Sequence, residues 1–499
     1  MAAQGTDLRR FFWHSGVYAF GNAVDRLGAF ILLPVYTHFL TVSEYGTLEL
    51  FYAIGAVVSG FLSVGLAHAT LRFYFEYPDQ SDRNAVVSTN LLASIAITTL
   101  GVLPVAYFAG ELSEFLLDDP AYKTGVWLLL ATIVLELSSQ VGLSYVRAVE
   151  RSVLFVSVSV AKLVAQVAVN SVTVMVLNAG VVGVLAGNLA TVALAWILLS
   201  GFALRHCGWR FSLDKLLPVL KYSYPFLLAT LVGLVSANID RFLIKGLVDL
   251  RALGLYALAT KLSKLLYDLI GEPFNQAYGS FRFSIMGKAD AGAIQARIVR
   301  YLLAASCFAA LGLVYVVDAV LHVLSAPEYW PAAKLVPILA LAAVLRLVTY
   351  PLQTGILYGK HTRHLFHISV MVAVLSAVGG LILINWLEEL GACITVLLTS
   401  FAAMVMTNRV SQRYFPVSYP YARFGRVLLV TIVFYGLSLP LSAFGVWVSS
   451  ALKLPLLVAY GWAVVAVGGI EGGEIALARA LVADRWAAAR RGRGLPGPD

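Results

Sequence analysis

The chain has 499 residues, of which 60% are hydrophobic and 13% are charged, with a net charge of +9 at neutral pH. A soluble globular protein carries about 25% charged residues because its surface faces water, so this composition indicates a chain that lies mostly in a membrane. The three cysteines, Cys207, Cys307 and Cys393, have no metal-binding spacing. They predict neither a disulfide framework nor a metal site, and we expect no cofactor.

Hydrophobic runs long enough to cross a bilayer follow one another along the chain. A membrane-spanning helix needs about 20 mostly apolar residues, so we predict an all-α polytopic membrane protein with about 14 transmembrane helices. Strands of a β-barrel would alternate in polarity, and these runs do not. In chain order the predicted spans cover residues 11–35, 45–69, 86–110, 124–146, 152–176, 180–203, 219–247, 253–281, 298–324, 332–358, 364–386, 389–411, 424–448 and 454–478.

Basic residues in the connections between spans are strongly asymmetric. Most of the 36 lysines and arginines fall on the side that would hold both termini and the connections after the even-numbered spans. The opposite side carries only Lys123, Lys245, Arg251, Lys334 and Lys453. Lysine and arginine favour the cytoplasmic side of a membrane, so both termini are predicted to be cytoplasmic. Topology therefore accounts for the positive charge, and nucleic acid is not expected as a partner.

An internal repeat relates the first and seventh spans. One contains Asn22-Ala23-Val24-Asp25-Arg26 and the other contains Ala237-Asn238-Ile239-Asp240-Arg241. Each is followed by a predicted external turn and then by a glycine, Gly46 or Gly254, that opens the next helix. Six spans separate the copies, so both copies have the same orientation in the membrane, an arrangement that suits alternating access.

This repeat predicts the domain organisation. We expect two pseudo-symmetric six-helix lobes, residues 1–215 and 216–415. Residues 416–499 would add two further transmembrane helices and a basic cytoplasmic tail.

Several short motifs resemble those of a known transporter family. Leu32-Leu33-Pro34-Val35-Tyr36-Thr37 with Glu44-Tyr45-Gly46, and later Gly254-Leu255-Tyr256 with Pro273-Phe274-Asn275-Gln276-Ala277, resemble bacterial polysaccharide-export flippases. These form the O-antigen-flippase-like branch of the multidrug/oligosaccharidyl-lipid/polysaccharide exporter superfamily. The resemblance implies two lobes around a central cavity in the bacterial inner membrane. It also implies a polyprenyl-diphosphate-linked substrate for a surface polysaccharide such as O-antigen lipopolysaccharide or an exopolysaccharide.

Charged pairs in spans 1 and 7 are candidates for an external gate. Asp25, Arg26, Asp240 and Arg241 lie in the predicted outer halves of their spans. Charges inside a membrane face a partner or water. The repeat would allow Asp25 to pair with Arg241 and Asp240 with Arg26, closing the external end. Each pair could equally be a static lock within its own lobe.

Span 8 carries the charged residues Lys261, Lys264, Asp268 and Glu272. Their spacing places them on one helix face, which cannot face lipid. We expect them to line the cavity, with packing against polar groups of the same lobe as the alternative. Asp268 and Glu272 are the candidates for coupling to a proton or sodium gradient. Pro273 follows and is expected to kink or break the helix.

Other polar residues complete the predicted site. Asn275 and Gln276 offer hydrogen bonds to sugars, and Arg346 lies near mid-depth without an obvious partner. Arg72 and Arg282 end spans 2 and 8 at the cytoplasmic side, where they would either form the mouth of a phosphate site or reach lipid headgroups. Including Arg26, Arg241, Lys261 and Lys264, the cleft is net basic, which suits a diphosphate. Glu136 and Lys162 are expected to pair within the first lobe.

Together these features predict a flippase for lipid-linked oligosaccharide that works by alternating access through a basic central cavity. Its expected partners are the substrate, membrane lipid, a coupling ion and polysaccharide polymerase or assembly proteins. The alternatives are a peptidoglycan-precursor flippase, a cation antiporter, a membrane polymerase or glycosyltransferase, or a passive scaffold in a polysaccharide assembly complex that would tolerate loss of the span 8 charges. Such enzymes carry a large external loop with catalytic acids, whereas the connections here are short, so we expect no enzyme.

Overall fold

The computed structural model describes residues 21, 28, 30–285 and 287–468, without the side chains of residues 224–230, 232 and 280. Regular secondary structure within this part of the chain is helical throughout, which confirms the predicted all-α class. The α-helices are α1 Leu33–Phe39, α2 Val42–Leu62, α3 Leu66–Glu76, α4 Gln80–Tyr107, α5 Ala109–Leu117, α6 Lys123–Ala148, α7 Ser152–Ser171, α8 Gly180–Cys207, α9 Leu213–Leu247, α10 Leu250–Leu266, α11 Glu272–Ser284, α12 Ala291–Leu324, α13 Val336–Leu352, α14 Thr354–Tyr358, α15 Arg363–Ser411, α16 Tyr421–Ser438 and α17 Val446–Ala466.

Ten helical segments among the described residues are long and apolar enough to cross a membrane. One of them, α15, covers both predicted spans 11 and 12, and its backbone leaves the helical region at Glu388 (φ 53°, ψ −133°) between the two. The protein is therefore a polytopic membrane protein. The count of fourteen spans stays a prediction.

Helix α2 begins with a hydrogen-bonded cap at Thr41, just before Val42. The hydroxyl of Thr41 accepts a hydrogen bond from the backbone N–H of Glu44 at 3.2 Å, and the Glu44 carboxylate accepts one from the N–H of Thr41 at 2.8 Å. This reciprocal capping box satisfies two backbone donors that a helix N-terminus leaves free. It fixes the position from which α2 presents Tyr45, Gly46 and Glu49.

A widened turn joins α10 to α11. The sequence predicted a kink or a break at Pro273. The helix does not break there, because residues Tyr267–Gly271 form a π-helical turn and the helix continues from Glu272. Proline lacks the N–H that an α-helix needs and its ring crowds the preceding turn. A π turn changes the hydrogen-bonding partners at that point and lets the helix continue.

Contacts divide the chain into two compact units. Unit 1 comprises the chain up to Ala257 together with Leu324–Tyr329 and Ser376–Ala392. Unit 2 comprises Leu258–Val323, Trp330–Leu375 and the chain from Cys393 onward. The predicted lobes 1–215 and 216–415 and the added segment 416–499 were inferred from the repeat and stay a prediction.

Each unit has its own apolar core. In unit 1 the buried residues Phe73, Val141 and Leu204 belong to a cluster shared by α3, α4, α6 and α8. In unit 2 Tyr315 and Tyr460 lie in a cluster formed by α12, α13, α16 and α17. Cys207, Cys307 and Cys393 are buried and form no disulfide.

Candidate functional site

Two glycines bring α2 and α10 into direct backbone contact in unit 1. A Cβ atom added to Gly46 would lie 1.9 Å from the carbonyl oxygen of Leu250, and one added to Gly254 would lie 2.2 Å from the carbonyl oxygen of Val42. The contact is reciprocal, since each glycine meets the carbonyl four residues before the other glycine. No residue with a side chain fits at either position without moving a helix. The two glycines marked by the repeat therefore form one helix crossing, at the predicted external end.

A connector closes over the same end of unit 1. Tyr329 is fully buried, and its hydroxyl donates to the carbonyl oxygens of Leu40 and Thr41, each at 3.0 Å. Burial raises the pKa of Tyr329 well above its usual range, so the phenol stays protonated and remains a donor. The hydroxyl of Thr37 donates to the carbonyl oxygen of Leu324 at 2.7 Å. The segment Leu324–Tyr329 is thus tied to the link between α1 and α2.

A buried charged network lies beside the glycine crossing. One oxygen of Asp240 accepts a hydrogen bond from Tyr256, and the other lies 3.5 Å from a terminal nitrogen of Arg241. Arg241 also interacts electrostatically with Glu49 of α2, which is 7% exposed and hydrogen-bonds to Tyr45. Two carboxylates and a guanidinium therefore share one site that is largely removed from water.

The predicted gate is described only in part. Asp25 and Arg26 lie outside the described residues, so the pairs Asp25–Arg241 and Asp240–Arg26 stay a prediction. Among the described residues, the first-half carboxylate that acts on Arg241 is Glu49. The sequence interpretation missed Glu49. Its signal was present, because a glutamate inside an apolar span needs a partner.

An uncharged polar cluster, also missed, connects α1, α2, α7 and α8. The side-chain amide of Asn170 donates to the hydroxyl of Tyr36 at 2.9 Å and to the amide oxygen of Asn188 at 3.2 Å. Asn188 in turn donates to the hydroxyl of Tyr52 at 3.0 Å. A Cβ atom on Gly187 would lie 1.9 Å from the amide oxygen of Asn170, so only glycine permits this approach. The cluster fixes four helices against one another.

The predicted stripe of span 8 contains a close ion pair. In unit 2 the ammonium of Lys264 lies 2.7 Å and 2.9 Å from the two carboxylate oxygens of Asp268, one helical turn away. The Lys264 side chain is 61% exposed, so water is available to replace either partner. Lys261 and Glu272 are partly buried and have partners of their own. The charged residues of this stripe therefore have partners within the protein, and the partner of Lys264 is the Asp268 carboxylate.

The predicted sugar-binding amides lie on α11. The amide nitrogen of Asn275 donates to the hydroxyl of Tyr267 at 3.0 Å, and its amide oxygen is buried without a hydrogen-bond partner among the described residues. Gln276 is exposed and its amide nitrogen lies 3.4 Å from the Glu272 carboxylate. These side chains therefore keep unused hydrogen-bonding capacity.

Three arginines of the predicted site and its cytoplasmic mouth contact polar or aromatic side chains. Arg346 is exposed and donates from Nε to the hydroxyl of Ser400 at 3.1 Å, a partner that the sequence did not suggest. Arg72 lies 4.1 Å from the ring centre of Tyr222, and Arg282 lies 5.6 Å from that of Tyr350. Two guanidinium nitrogens of Arg282 are buried without a hydrogen-bond partner in the described part of the chain.

The expected pair of Glu136 and Lys162 is not formed. Glu136 is exposed, Lys162 is partly buried, and neither makes an ion pair with any described residue. The described residues also contain no group of three side chains placed to hold a metal ion.

Comparison with known proteins gives the family. A family model described as "Polysaccharide biosynthesis protein" matches residues 35–296, which include the glycine crossing, the charged network and the stripe of span 8. The chain belongs to this polysaccharide biosynthesis protein family. No curated protein matches the chain in sequence. The family match confirms the resemblance noted from the motifs.

Solved structures share the fold of this family member. The lipid II flippase MurJ in an inward closed conformation aligns with a TM-score of 0.70 and 11% identity, covering 90% of this chain and 97% of MurJ. An inward-facing multidrug resistance MATE family transporter of the MOP superfamily aligns with a TM-score of 0.61 and 14% identity, covering 78% of this chain and 94% of that chain. A MATE structure in the straight conformation aligns with a TM-score of 0.54 and 15% identity, covering 81% of this chain and 95% of that chain. The likeness is one of fold.

Proposed function

We propose that this protein flips a polyprenyl-diphosphate-linked oligosaccharide across the bacterial inner membrane during surface polysaccharide biosynthesis. One observation carries the proposal: a polysaccharide biosynthesis family member has, over 90% of its length, the fold of a flippase for a lipid-linked sugar. O-antigen and exopolysaccharide units are the substrates to test first.

The substrate explains why a polar route is needed. Each sugar hydroxyl removed from water without a partner costs a few kcal/mol, so a headgroup with many hydroxyls does not cross hydrocarbon unaided. A polar cavity between lobes lets the headgroup pass while the polyprenyl chain stays in lipid. In this proposal Asn275 and Gln276 bind sugar hydroxyls. Lys261, Lys264, Arg346 and the first-half Arg26 supply positive charge for the diphosphate, with Arg72 and Arg282 at its cytoplasmic mouth.

The pair Lys264–Asp268 offers a way to couple transport to an ion gradient. Asp268 and the substrate diphosphate would compete for the same ammonium, which now lies 2.7 Å from the carboxylate. A proton or sodium ion on Asp268 would release Lys264 to the diphosphate, and loss of that ion would displace the diphosphate. Glu272 is the second candidate for the ion, since it lies one turn further along the helix.

The external end supplies the gate of this cycle. Arg241 is engaged by Asp240 and Glu49, so we assign it to closing the external end rather than to holding substrate. Asp25 and Arg26 are proposed to add to the same gate. Opening must separate α2 from α10 at Gly46 and Gly254, and the charged network must rearrange at the same step. Breaking a fully buried ion pair is costly, and the remaining exposure of the Arg241 and Asp240 side chains, 17% and 15%, gives water a way to replace the lost contacts as the network rearranges.

A depletion strain distinguishes export from synthesis. Loss of this protein should leave complete lipid-linked oligosaccharide accumulating at the cytoplasmic leaflet. Mass spectrometry of extracted lipids measures the amount. Treating the cells with an externally added glycosidase before extraction shows whether the sugar faces outward. Absence of complete lipid-linked units would instead indicate a glycosyltransferase. Complete units exposed on the outside but not polymerised would indicate a polymerase.

Variants of the stripe test the site separately from the function. Lys264→Ala should fail to restore export at normal protein level, whereas Lys288→Ala, which removes an exposed charge in the connection after α11, should restore it. Full restoration by Lys264→Ala and Lys261→Ala would exclude the stripe from the substrate path while leaving the export function standing.

The fold of MurJ favours a second candidate, a flippase for a peptidoglycan precursor. The two candidates differ in the sugar that accumulates on depletion: a surface polysaccharide unit in the first case and the peptidoglycan precursor in the second. The MATE fold similarly favours a third candidate, a cation antiporter, although the basic charge of the proposed site disfavours a cationic substrate. Expression of an antiporter would raise resistance to organic cations, whereas expression of the proposed flippase would leave that resistance unchanged.

A further inference from the structure

A cluster of basic and histidine side chains, all exposed except the partly buried His364, lies where α15 begins. We name it the basic patch, and its members are Lys360, His361, Arg363, His364, His367 and Arg413. The chain reverses direction at Glu388 inside α15, so residues near Arg363 and residues near Arg413 return to the same end of the two spans.

Tyr414 holds the two segments of the patch together. Its hydroxyl is 2.9 Å from Nε2 of His364, and its ring stacks on His361 with 4.3 Å between ring centres. Arg363 and Arg413 are both close enough to act electrostatically on His364. Two separate parts of the sequence thus present their cations on one surface.

The patch has no neutralising acid among the residues that the structure describes. The sequence has no aspartate or glutamate between Glu328 and Glu388, and none between Glu389 and Glu471. Lys360, Arg363 and Arg413 are exposed and form no ion pair with any residue that the structure describes. Such a surface attracts a negatively charged partner.

The apolar face of α15 places the patch at the headgroup level of a membrane. Exposed apolar side chains run along the first half of the helix from Phe366 (46% exposed) through Val374 (55%) and Val378 (51%) to Trp386 (79%). At 1.5 Å per residue, Phe366 to Trp386 spans about 30 Å, which is the thickness of the hydrocarbon core. Tryptophan is enriched at membrane interfaces, so Trp386 fits the opposite boundary. Arg363 then lies one turn beyond the hydrocarbon, beside lipid phosphates.

We propose that the basic patch is a binding site for the headgroups of anionic phospholipids such as phosphatidylglycerol in the leaflet on the predicted cytoplasmic side. The guanidinium groups of Arg363 and Arg413 contact the phosphate, and Lys360 adds charge. His361 and Tyr414 add hydrogen-bond donors and keep the two segments together. The exposed apolar face above Arg363 takes the acyl chains, which a soluble protein partner or a free anion would not fill.

Native mass spectrometry of the full chain, purified in detergent and exposed to equal amounts of phosphatidylglycerol and phosphatidylcholine, tests the proposal. Wild-type protein should retain phosphatidylglycerol preferentially. Arg363→Gln with Arg413→Gln should weaken that retention about 30-fold, because each cation near an anionic headgroup strengthens binding about fivefold. The matched control, Arg205→Gln with Lys221→Gln, removes the same charge from exposed residues elsewhere on the predicted cytoplasmic side and should leave retention unchanged.

Three results would overturn the proposal. One is equal retention of the two lipids by wild-type protein, which needs no variant and so does not depend on variant folding. Another is equal loss of phosphatidylglycerol in the control pair, which would make the effect one of net charge. The third is displacement of bound lipid by inorganic phosphate, which would assign the patch to a soluble anion. Melting temperatures of both double variants, expected to match wild type, show that the fold is intact.

Discussion

Replacing Gly46 by alanine tests the helix crossing at the predicted external end. The added Cβ atom would lie 1.9 Å from the carbonyl oxygen of Leu250, whereas ordinary contacts begin at 3.4 Å. The two helices must therefore separate by about 1.5 Å, since packed backbone does not compress.

Overpacking costs about 1–3 kcal/mol, and we take the upper end because the obstructing atom belongs to the backbone. Alanine returns about 1 kcal/mol through its better helix propensity. The substitution therefore destabilises the closed state of the crossing by about 2 kcal/mol. The equilibrium between closed and separated helices shifts about 30-fold toward the separated state.

Reaction of a cysteine at Ala252 with a membrane-impermeant maleimide measures that shift. Ala252 is 6% exposed and lies two residues from Leu250, and the three native cysteines are buried. In an Ala252→Cys background, Gly46→Ala should raise the labelling rate from outside the cell by about 30-fold, in line with the shift in population. The protein should also melt at a lower temperature.

The matched control is Gly246→Ala. It makes the same chemical change near the end of α9, where no atom lies within 4 Å of an added Cβ. Its labelling rate should equal that of the parent protein. Its melting temperature should equal or exceed that of the parent protein. If Gly46→Ala labels and melts as the control does, the crossing does not close the external end, and the reasoning fails.

Three further substitutions probe the same region of unit 1, each through the melting temperature of the purified protein. Arg241→Gln should destabilise the protein by about 3–5 kcal/mol, because the cation that Asp240 and Glu49 share is removed. Adding Asp240→Asn to this variant should restore part of the lost stability. No recovery would contradict an electrostatic cause. Tyr329→Phe should cost about 1–3 kcal/mol by removing the donor to the Leu40 carbonyl oxygen, whereas the Thr41 carbonyl oxygen keeps the N–H of Tyr45. An unchanged melting temperature would show that water satisfies the Leu40 oxygen. Asn170→Leu should cost a similar amount by removing the donor to Tyr36 and Asn188, and an unchanged melting temperature would show that the polar cluster does not hold its helices together.

The membrane character and the helical class could be predicted because lipid forces every backbone polar group to be satisfied within a helix. Hydropathy therefore reports directly on structure. The repeat also identified Gly46 and Gly254, since their positions follow from the copied order of motifs. Pro273 marked a real irregularity. Of the expected kink or break, the break does not occur, because a π turn precedes the proline and the helix continues from Glu272.

The partners of these residues could not be predicted, because they lie far apart in the chain. Tyr329 bonds to backbone nearly 290 residues away, from a connector that sequence alone presents as an exposed loop. Glu49 and Asn170 are single polar residues in apolar spans, and nothing in the sequence says which helix faces them. Glu136 and Lys162 lie at similar predicted depths and carry opposite charges. Depth, however, gives no information about the direction in which a side chain points.

Flipping by the purified protein in liposomes is the most direct test of the central claim. Liposomes would contain fluorescent polyprenyl-diphosphate oligosaccharide on both leaflets, and a glycosidase added outside would cleave only the exposed half. With wild-type protein we predict that nearly all of the sugar becomes accessible, while liposomes with Lys264→Ala protein stay near one half. Accessibility that stays at one half with wild-type protein, with and without a proton or sodium gradient, would contradict the proposed function.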